Sequence, residues 1–181
     1  MDPVNAQKIS LRRILILGAS GAGKTTFARK LSEGLDLPHV ELDSLYWGPN
    51  WTPVNRKVFL DRVATVVEGE RWIAEGDYDL GVDLLRSRSE QIVWIDRSLP
   101  VTLVQVFWRT FTRALTREPT WGGNSETLRS LLLSRGSILI WAWRSHRMRR
   151  KQYPGIPGIL RLRSRRDLRN QLGRFRNDVI F

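Results

Sequence analysis

The segment from Gly18 to Thr25 leaves this chain few possible folds. It reads Gly-Ala-Ser-Gly-Ala-Gly-Lys-Thr and matches the pattern G-x-x-x-x-G-K-[ST]. The run before it, residues 14–17, is Ile-Leu-Ile-Leu, which is typical of a strand buried on both faces of a parallel sheet. The stretch after it, residues 24–35, carries apolar residues four positions apart, which predicts a helix. A strand, a glycine-rich turn and a helix therefore follow one another without a break.

The residue types in this segment suit the binding of a triphosphate. Glycines let backbone N–H groups converge on phosphate oxygens, and the first turn of the helix adds free N–H groups and the positive end of its dipole. Lys24 would reach the β- and γ-phosphates, and the Thr25 hydroxyl would ligate Mg²⁺. We therefore predict that ATP, or another nucleoside triphosphate, binds with Mg²⁺ at Gly18, Ala19, Ser20, Gly21, Ala22, Gly23, Lys24, Thr25 and Thr26.

Further apolar runs alternate with helical patterns along the rest of the chain. Strands are predicted at residues 39–43, 72–74, 92–95 and 159–162. Helices are predicted from about Pro53, with Thr52 as a plausible cap, then over 99–117, over 125–151 and after the last strand. This alternation indicates an open α/β sheet with βαβ crossovers, in a single domain of residues 1–181.

The positive charge of the chain is concentrated in its C-terminal half. Residues 1–96 hold 12 Lys and Arg against 14 Asp and Glu, a net of −2, whereas residues 97–181 hold 18 against 4, a net of +14. Only one of those 18 cations is a lysine, and arginine binds phosphate or carboxylate oxygens with two donors at once. A polyanionic partner is expected, whether a nucleotide, a nucleic acid or an anionic membrane surface, unless these arginines form only a solvated face.

Several protein classes are excluded by what the sequence lacks. The absence of cysteine excludes a disulfide scaffold, a thiolate metal site and a cysteine nucleophile. The longest charge-free run has 12 residues, whereas a transmembrane helix needs about 20 apolar residues. No apolar signal-peptide core precedes the first strand, so a cytoplasmic protein is expected. The N-K-x-D sequence with which GTPases typically read guanine does not occur.

Four acidic residues follow predicted strands: Asp43, Glu75, Asp77 and Asp96. Ligands of open α/β sheets gather at the carboxyl ends of the strands. Glu75 or Asp96 is expected to hold Mg²⁺ together with Thr25, directly or through water. Asp43 is expected to orient an acceptor hydroxyl or to accept its proton. The alternative for each acid is a strand-end or helix-capping role without a ligand.

Arg109, Arg113 and Arg117 are spaced to share one face of the predicted helix. More arginines follow a Trp-Gly-Gly loop, at positions 144, 147, 149 and 150. We expect residues 109–150 to form a lid that closes over ATP, neutralises charge and excludes water. Arg113 and Arg117 are the predicted catalytic arginines, beside Lys24 and Asp43. A solvated basic face is the alternative.

These segments together resemble the small adenylate-kinase-like P-loop kinases that are often labelled DNA topology modulation proteins. The resemblance extends over about residues 12–172. Besides the P-loop it rests on Glu41-Leu-Asp-Ser-Leu-Tyr-Trp47 with Pro49 and Trp51, on Arg71-Trp-Ile-Ala-Glu-Gly-Asp-Tyr78 and on Ile92-Val-Trp-Ile-Asp96. In the C-terminal half it rests on Thr116-Arg-Glu118, Trp121-Gly-Gly-Asn124, Tyr153-Pro154 and Leu162-Arg-Ser-Arg-Arg166.

The resemblance implies a P-loop NTPase fold with three α/β/α layers and a five-stranded parallel sheet, like that of nucleoside monophosphate kinases. It also implies a substrate-binding helical region at about 44–70, a helical lid at about 109–150, and an approach of Arg163 and Arg165 to the nucleotide base. The acceptor is expected to contact Asp43, Tyr46, Trp47, Asp77 and Tyr78. Glu75 and Asp77 stand where members of this family are expected to carry Asp and Asn.

The sequence leaves three functions open. The first is an ATP- and Mg²⁺-dependent phosphotransferase acting on a small molecule, such as a nucleoside monophosphate, a sugar or another metabolite. The second is an ATP-regulated nucleic-acid-binding module, which the basic C-terminal half and the available tryptophans favour. The third is a nucleotide-dependent scaffold with little turnover. The first is preferred, because a P-loop with Asp43 and an arginine lid supplies the positioning and charge neutralisation that phosphoryl transfer needs.

Overall fold

The structure is a computed structural model that describes residues 11–79, 81–127 and 137–177. Five parallel strands form one sheet in the order β2-β3-β1-β4-β5. The strands are β1 (Arg13–Gly18), β2 (His39–Glu41), β3 (Trp72–Glu75), β4 (Gln91–Ile95) and β5 (Ile159–Leu162). The predicted five-stranded parallel sheet is therefore confirmed.

The described residues form seven α-helices that cover both faces of this sheet. They are α1 (Lys24–Leu35), α2 (Leu42–Tyr46), α3 (Arg56–Glu68), α4 (Val82–Arg88), α5 (Leu99–Thr116), α6 (Ile138–Gln152) and α7 (Arg165–Asn177). Successive residues of a strand point to opposite faces, so β1 contributes to both halves of the core. Ile14 and Ile16 pack with apolar residues of α1 and α7, whereas Leu15 and Leu17 pack with those of α3 and α4. The predicted three-layer arrangement is confirmed.

The strand order places the first glycine-rich turn near the middle of the sheet edge. β1 is the central strand, and its C-terminal part pairs with β3 at Glu75 and with β4 at Ile95. Because all strands are parallel, their carboxyl ends meet along one edge, where α/β folds bind their ligands. Residues that follow β1, β2, β3 and β4 are thereby brought together from distant parts of the chain.

Two predicted boundaries near the acceptor side are wrong. The strand predicted over 39–43 ends at Glu41, because the chain turns directly into α2 and buries Leu42 completely. The helix predicted from Pro53 begins at Arg56, and its cap is Asn55, whose side chain accepts a hydrogen bond from the Lys57 amide at 2.9 Å. Pro53 instead forms an antiparallel bridge with Trp47 that closes the loop between α2 and α3.

The lid region also departs from its predicted boundaries. The predicted helix over 99–117 ends at Thr116, and Arg117 has a left-handed φ of 51°. Within the predicted stretch 125–151 the described helix is α6, and residues 128–136 lie outside the described residues. The predicted Trp-Gly-Gly loop contains a 3-10 turn at Trp121–Gly123, and the sequence did not predict α4. None of the described helices combines the length and the apolar character needed to cross a bilayer.

Candidate functional site: a nucleotide and acceptor cleft

The glycine-rich turn packs closely against neighbouring residues at Gly18 and Gly21, whereas the space beside Gly23 is open. A Cβ atom at Gly18 would lie 2.7 Å from the carbonyl oxygen of Ile95, and one at Gly21 would lie 2.4 Å from the Val106 side chain of α5. Gly23 has a φ of 97° and ends the turn as the residue before α1, yet a Cβ there would meet nothing within 4 Å. Among the described residues, the N-cap of α1 makes no side-chain hydrogen bond. The first turn of α1 is therefore uncapped, and helix N-termini with free N–H groups bind phosphate.

Lys24, the first residue of α1, sits among four other charged side chains. Its ammonium group donates a hydrogen bond to the Ala19 carbonyl at 3.3 Å. Desolvation lowers the pKa of Lys24; the charges of Glu75 and Asp43 oppose that shift, whereas Arg149 and Arg109 add to it. The carboxyl ends of β1, β2 and β3 thus gather both the cations and the carboxylates that phosphoryl transfer requires.

Two arginines from separate helices reach this charged cluster. Arg109 of α5 lies with Nη2 3.4 Å from the Ser20 hydroxyl in the glycine-rich turn, and burial lowers the pKa of Arg109. Arg149 of α6 is buried and pairs through Nε with Asp77 at 2.9 Å. Neither belongs to the predicted catalytic pair, although both lie in the predicted lid.

The two arginines predicted to be catalytic have other surroundings. Arg113 pairs with the buried carboxylate of Glu126 at 3.2 Å. Arg117 is exposed and lies just beyond the last residue of α5. One helix turn thus separates Arg109, which contacts the glycine-rich turn, from Arg113, which pairs with Glu126 in the segment after α5.

Asp43 lies in the first turn of α2, where Tyr78 orients it. The Tyr78 hydroxyl donates to Asp43 Oδ1, and burial, followed by the Asp43 charge, raises the pKa of Tyr78. The ring of Tyr78 packs on Tyr46 and Phe59, with centroid separations of 4.4 and 5.2 Å. The predicted acceptor residues Asp43, Tyr46 and Tyr78 therefore form one cluster, and the Tyr78 bond occupies only one of the two Asp43 oxygens.

Asp77, also predicted to contact the acceptor, is engaged by protein groups. Its Oδ2 accepts hydrogen bonds from Arg149 Nε and from the Tyr153 hydroxyl. Its side chain is 6% exposed. Burial, opposed in part by Arg149, raises the pKa of Tyr153, so its hydroxyl stays protonated and donates. Asp77 thus fixes the position of Arg149, whose charge acts on Lys24.

Asp96, a predicted Mg²⁺ ligand, is surrounded by arginines. Arg150 and Arg161 each donate two hydrogen bonds to its carboxylate, and Arg163 Nε lies 3.9 Å away. Burial alone would raise the pKa of Asp96, but the hydrogen bonds from Arg150 and Arg161 outweigh it and hold that pKa below its ordinary value. The carboxylate ties β4 to α6 and β5, and guanidinium groups occupy both of its oxygens.

Glu75, the other predicted Mg²⁺ ligand, has free oxygens. Its side chain is 4% exposed, and neither carboxylate oxygen has a hydrogen-bond partner among the described residues. Thr25 lies half-buried in the first turn of α1. It follows Lys24, whose charge interacts with that of Glu75. Buried carboxylate oxygens without donors suit a hard cation, so this part of the predicted metal set fits Mg²⁺.

The side chain of Asn124 connects two loops: residues 117–127 after α5, here the lid loop, and residues 47–55 between α2 and α3, here the acceptor loop. Its Nδ2 donates to the Gly48 carbonyl at 2.8 Å, and its Oδ1 accepts from the Trp51 amide at 2.9 Å. A Cβ at Gly122 would lie 2.7 Å from the Gly48 carbonyl, so only glycine permits this approach. The loops on the two sides of the cleft are therefore in direct contact.

Three tryptophans line the same contact. The Trp47 and Trp51 rings meet edge to face at 5.7 Å, and the Trp51 and Trp121 rings lie 6.4 Å apart. The Trp121 indole N–H donates to Glu41 Oε2 at 2.9 Å. The predicted acceptor residue Trp47 thus belongs to an aromatic wall that both loops build.

Arg163 and Arg165, which were predicted to approach the nucleotide base, lie at the carboxyl end of β5. Both are exposed. The turn between them is fixed by a reciprocal cap, in which the Ser164 amide donates to Asp167 and the Asp167 amide donates to the Ser164 hydroxyl. Their contact with a base remains a prediction.

Comparison with solved structures places this fold among known ones. The chain superposes on shikimate kinase from Acinetobacter baumannii in complex with shikimate with a TM-score of 0.62 at 15% identity, over 95% of this chain and 94% of that one. A gluconokinase from Sinorhizobium meliloti 1021 gives a TM-score of 0.56 at 16% identity, over 94% and 96% of the two chains. The fold is the one these kinases share. At such low identity the likeness concerns the fold alone.

Sequence comparison adds one relative. No protein-family model matches the chain. The Bacillus subtilis (strain 168) protein described as "Uncharacterized protein YqaC" is 32% identical over 107 residues, which is 56% of this chain. The matched region spans 58% of the length of that relative. The adenylate-kinase-like relationship suggested by the sequence therefore stays a prediction.

Sequence reasoning missed the residues whose roles depend on distant partners. Arg109 and Arg149 lie within the predicted lid, but sequence spacing does not show which of its arginines approach Lys24. Asn124 belongs to the Trp121-Gly-Gly-Asn124 segment that carries part of the family resemblance, but the sequence assigned it no role. The signal that could have pointed to it is the Gly-Gly-Asn sequence itself, since paired glycines permit a close approach and asparagine can bond both a carbonyl and an amide.

Proposed function

We propose that the protein is an ATP- and Mg²⁺-dependent phosphotransferase that acts on a small-molecule acceptor. The observation that carries this proposal is the position of Lys24. It begins a helix whose first turn is open to a ligand, and it interacts with Asp43 on the acceptor side and with Arg109 and Arg149 from the lid. The fold shared with shikimate kinase and gluconokinase supports it.

The nucleotide half of the site consists of residues 18–26. Their backbone amides and the Lys24 ammonium group would hold the phosphates, and Thr25 with Glu75 would hold Mg²⁺. Mg²⁺ supplies neutralisation of charge on the phosphate oxygens. Asp96 is left out of this metal set because Arg150 and Arg161 occupy both of its oxygens.

The cationic part of the site is assigned to Arg109 and Arg149 in place of Arg113 and Arg117. Both assigned side chains interact with Lys24, and Asp77 with Tyr153 fixes the guanidinium of Arg149. Rigidly held donors stabilise the charge that develops on the transferred group without reorganisation. Arg113 acts indirectly, by holding the lid loop through Glu126.

The acceptor half is built around Asp43. Tyr78 holds Oδ1, which leaves Oδ2 to orient an acceptor hydroxyl and to take its proton as the new bond to phosphorus forms. Tyr46, Trp47 and Tyr78 provide apolar ring surface beside this carboxylate. The acceptor would be a small hydroxyl-bearing molecule, in line with the fold shared with shikimate kinase, and a nucleoside monophosphate is the adenylate-kinase-like alternative.

An acceptor panel tests the proposal. ADP release from Mg–ATP is measured with sugars, sugar acids, cyclic polyols and nucleoside monophosphates, for the wild type and for Lys24→Ala. We expect acceptor-dependent release in the wild type and a loss of at least about 100-fold in Lys24→Ala. Lys30→Ala, an exposed lysine on the same helix, is the matched control and should match the wild type. Equal ADP release by the wild type and Lys24→Ala with every acceptor would overturn the proposal.

The nucleic-acid alternative is weakened by how the structure uses the arginines of the basic half. Asp77 pairs with Arg149, Asp96 pairs with Arg150 and Arg161, and Glu126 pairs with Arg113. Ion pairs within the protein therefore already engage these four arginines. A binding assay with single-stranded DNA decides between the functions, since nucleic-acid binding must weaken steeply with salt.

A further inference from the structure

Three potential metal ligands converge where β2 and β3 end. His39 and Glu41 are two residues apart on β2, so their side chains lie on the same face of the sheet. Glu75 pairs with Glu41 in the parallel register, which places its side chain on that face of the adjacent strand. The backbone alone therefore aligns an imidazole and two carboxylates.

The side-chain positions bring one ligand atom from each residue into a small space. One nitrogen of His39 and one carboxylate oxygen each from Glu41 and Glu75 all lie within 4.8 Å of one another. His39 Nε2 is 3.3 Å from Glu75 Oε1, without hydrogen-bond geometry. Trp121 donates to Oε2 of Glu41, which fixes that side chain and leaves its other oxygen available.

The charge of this cluster is not balanced by hydrogen bonds. Glu75 is buried, and neither of its oxygens has a hydrogen-bond donor among the described residues. Glu41 adds a second carboxylate within 4.8 Å. A buried carboxylate is costly unless a cation or donors compensate it, and a neighbouring like charge increases that cost. A cation between the three side chains would remove both costs at once.

We propose that His39, Glu41 and Glu75 bind one divalent transition-metal ion, of the Mn²⁺ or Co²⁺ type. Imidazole nitrogen suits these ions, whereas Mg²⁺ takes almost only oxygen ligands. The site needs neither nucleotide nor the Thr25 hydroxyl. It shares Glu75 with the Mg²⁺ set proposed above, so His39 and Glu41 are the ligands that belong to it alone. Water completes the coordination, because three protein ligands leave open positions.

Electron paramagnetic resonance tests this proposal on the nucleotide-free, full-length protein. Free Mn²⁺ is titrated at about pH 8, where imidazole is neutral and able to ligate. We expect one bound Mn²⁺ per chain in the wild type, and an affinity at least about tenfold weaker in His39→Gln and in Glu41→Gln. A Co²⁺ titration should give a visible absorption band in the wild type that is lost in His39→Gln.

A matched control and a second readout separate this site from the nucleotide site. His146→Gln changes the other histidine of the chain, which bonds the Arg97 carbonyl, and should leave Mn²⁺ affinity unchanged. His39→Gln should retain the wild-type circular dichroism spectrum and bind Mg–ATP as the wild type does. Absence of Mn²⁺ and Co²⁺ binding to the wild type, or equal affinities in the wild type, His39→Gln and Glu41→Gln, would overturn the proposal. In that case His39 is only a packing neighbour of Glu75, with Nε2 3.3 Å from Oε1.

Discussion

The two sides of the cleft are built in opposite ways. On the proposed nucleotide side, nine consecutive residues, 18–26, would form the site with their own backbone and with one helix start. On the proposed acceptor and lid side, three hydrogen bonds join residues far apart in sequence: 35 positions between Asp43 and Tyr78, 72 between Asp77 and Arg149, and 76 between Gly48 and Asn124. The first side depends on local conformation, and the second depends on the completed fold.

This contrast implies different consequences for substitution. A change on the nucleotide side should abolish ligand binding while the fold survives. A change on the other side should alter the acceptor reaction, or the stability of the lid, while Mg–ATP still binds. The predictions that follow test this separation.

Asp43→Asn should produce the largest separation. The amide cannot accept the proton of an acceptor hydroxyl, so turnover should fall by about 100- to 10,000-fold. Mg–ATP affinity should change less than about threefold, because residues 18–26 are untouched. Acceptor-dependent ADP release and calorimetric titration measure the two effects. Asp61→Asn, an exposed acid on α3, is the control. Equal losses of Mg–ATP binding and turnover would show that the two sides are not separate.

Arg149→Met should destabilise the fold as well as slow the reaction. It leaves the buried Asp77 without its charged partner, which costs about 3–5 kcal/mol of unfolding free energy. The double variant Arg149→Met/Asp77→Asn should recover much of this stability but none of the activity. Urea unfolding and ADP release provide the two readouts. Recovery of turnover in the double variant would contradict the role of Arg149 in the charged cluster.

Asn124→Ala should have a moderate effect confined to the acceptor side. It removes the bonds from the lid loop to Gly48 and Trp51, at a cost of about 1–3 kcal/mol. We expect KM for the acceptor to rise about tenfold while the affinity for Mg–ATP is retained. Asn170→Ala, an exposed position on α7, is the matched control. An equal rise in KM for ATP would show that the Asn124 hydrogen bonds also support the nucleotide side.

Asp96→Asn should have the smallest effect, a change in the free energy of unfolding that is visible only at acidic pH. Its folded-state pKa is held below the ordinary value by Arg150 and Arg161, so the stability it contributes is present above the ordinary carboxyl range. That stability is lost as pH falls from about 4 through the lowered pKa. Urea unfolding from about pH 5 to pH 2 should show a steeper loss in the wild type than in Asp96→Asn. Asp83→Asn, whose side chain is 88% exposed, should follow the wild type.

The same contrast explains how far the sequence alone could lead. The apolar run before Gly18, the glycine-rich turn and the helix after it were predictable because each signal is local. Most of the five strands were found for the same reason, since they are short, largely apolar runs that end at a polar or glycine residue; β2, which reads His-Val-Glu, is the exception. These elements set the sheet, its layers and the nucleotide side of the cleft.

The acceptor and lid side could not be predicted to the same depth. Helical spacing placed Arg109, Arg113 and Arg117 on one face, but it carries no information on which turn meets Ser20 and which meets Glu126. Asp96 looked like a free strand-end acid because its partners, Arg150 and Arg161, are 54 and 65 residues away. Roles of this kind follow from tertiary packing, which a local pattern does not encode.

Calorimetric titration of Mg–ATP into the wild type and Gly23→Val tests the central claim most directly. At Gly23 a side chain would meet open space in the place assigned to the phosphates. The account predicts one bound Mg–ATP per chain in the wild type and an affinity at least about 100-fold weaker in Gly23→Val. Gly158→Val, at a glycine with a similar positive φ of 66° that also faces open space, should bind as the wild type does. Equal Mg–ATP affinity in all three proteins, or no heat with any magnesium nucleoside triphosphate, would contradict the account.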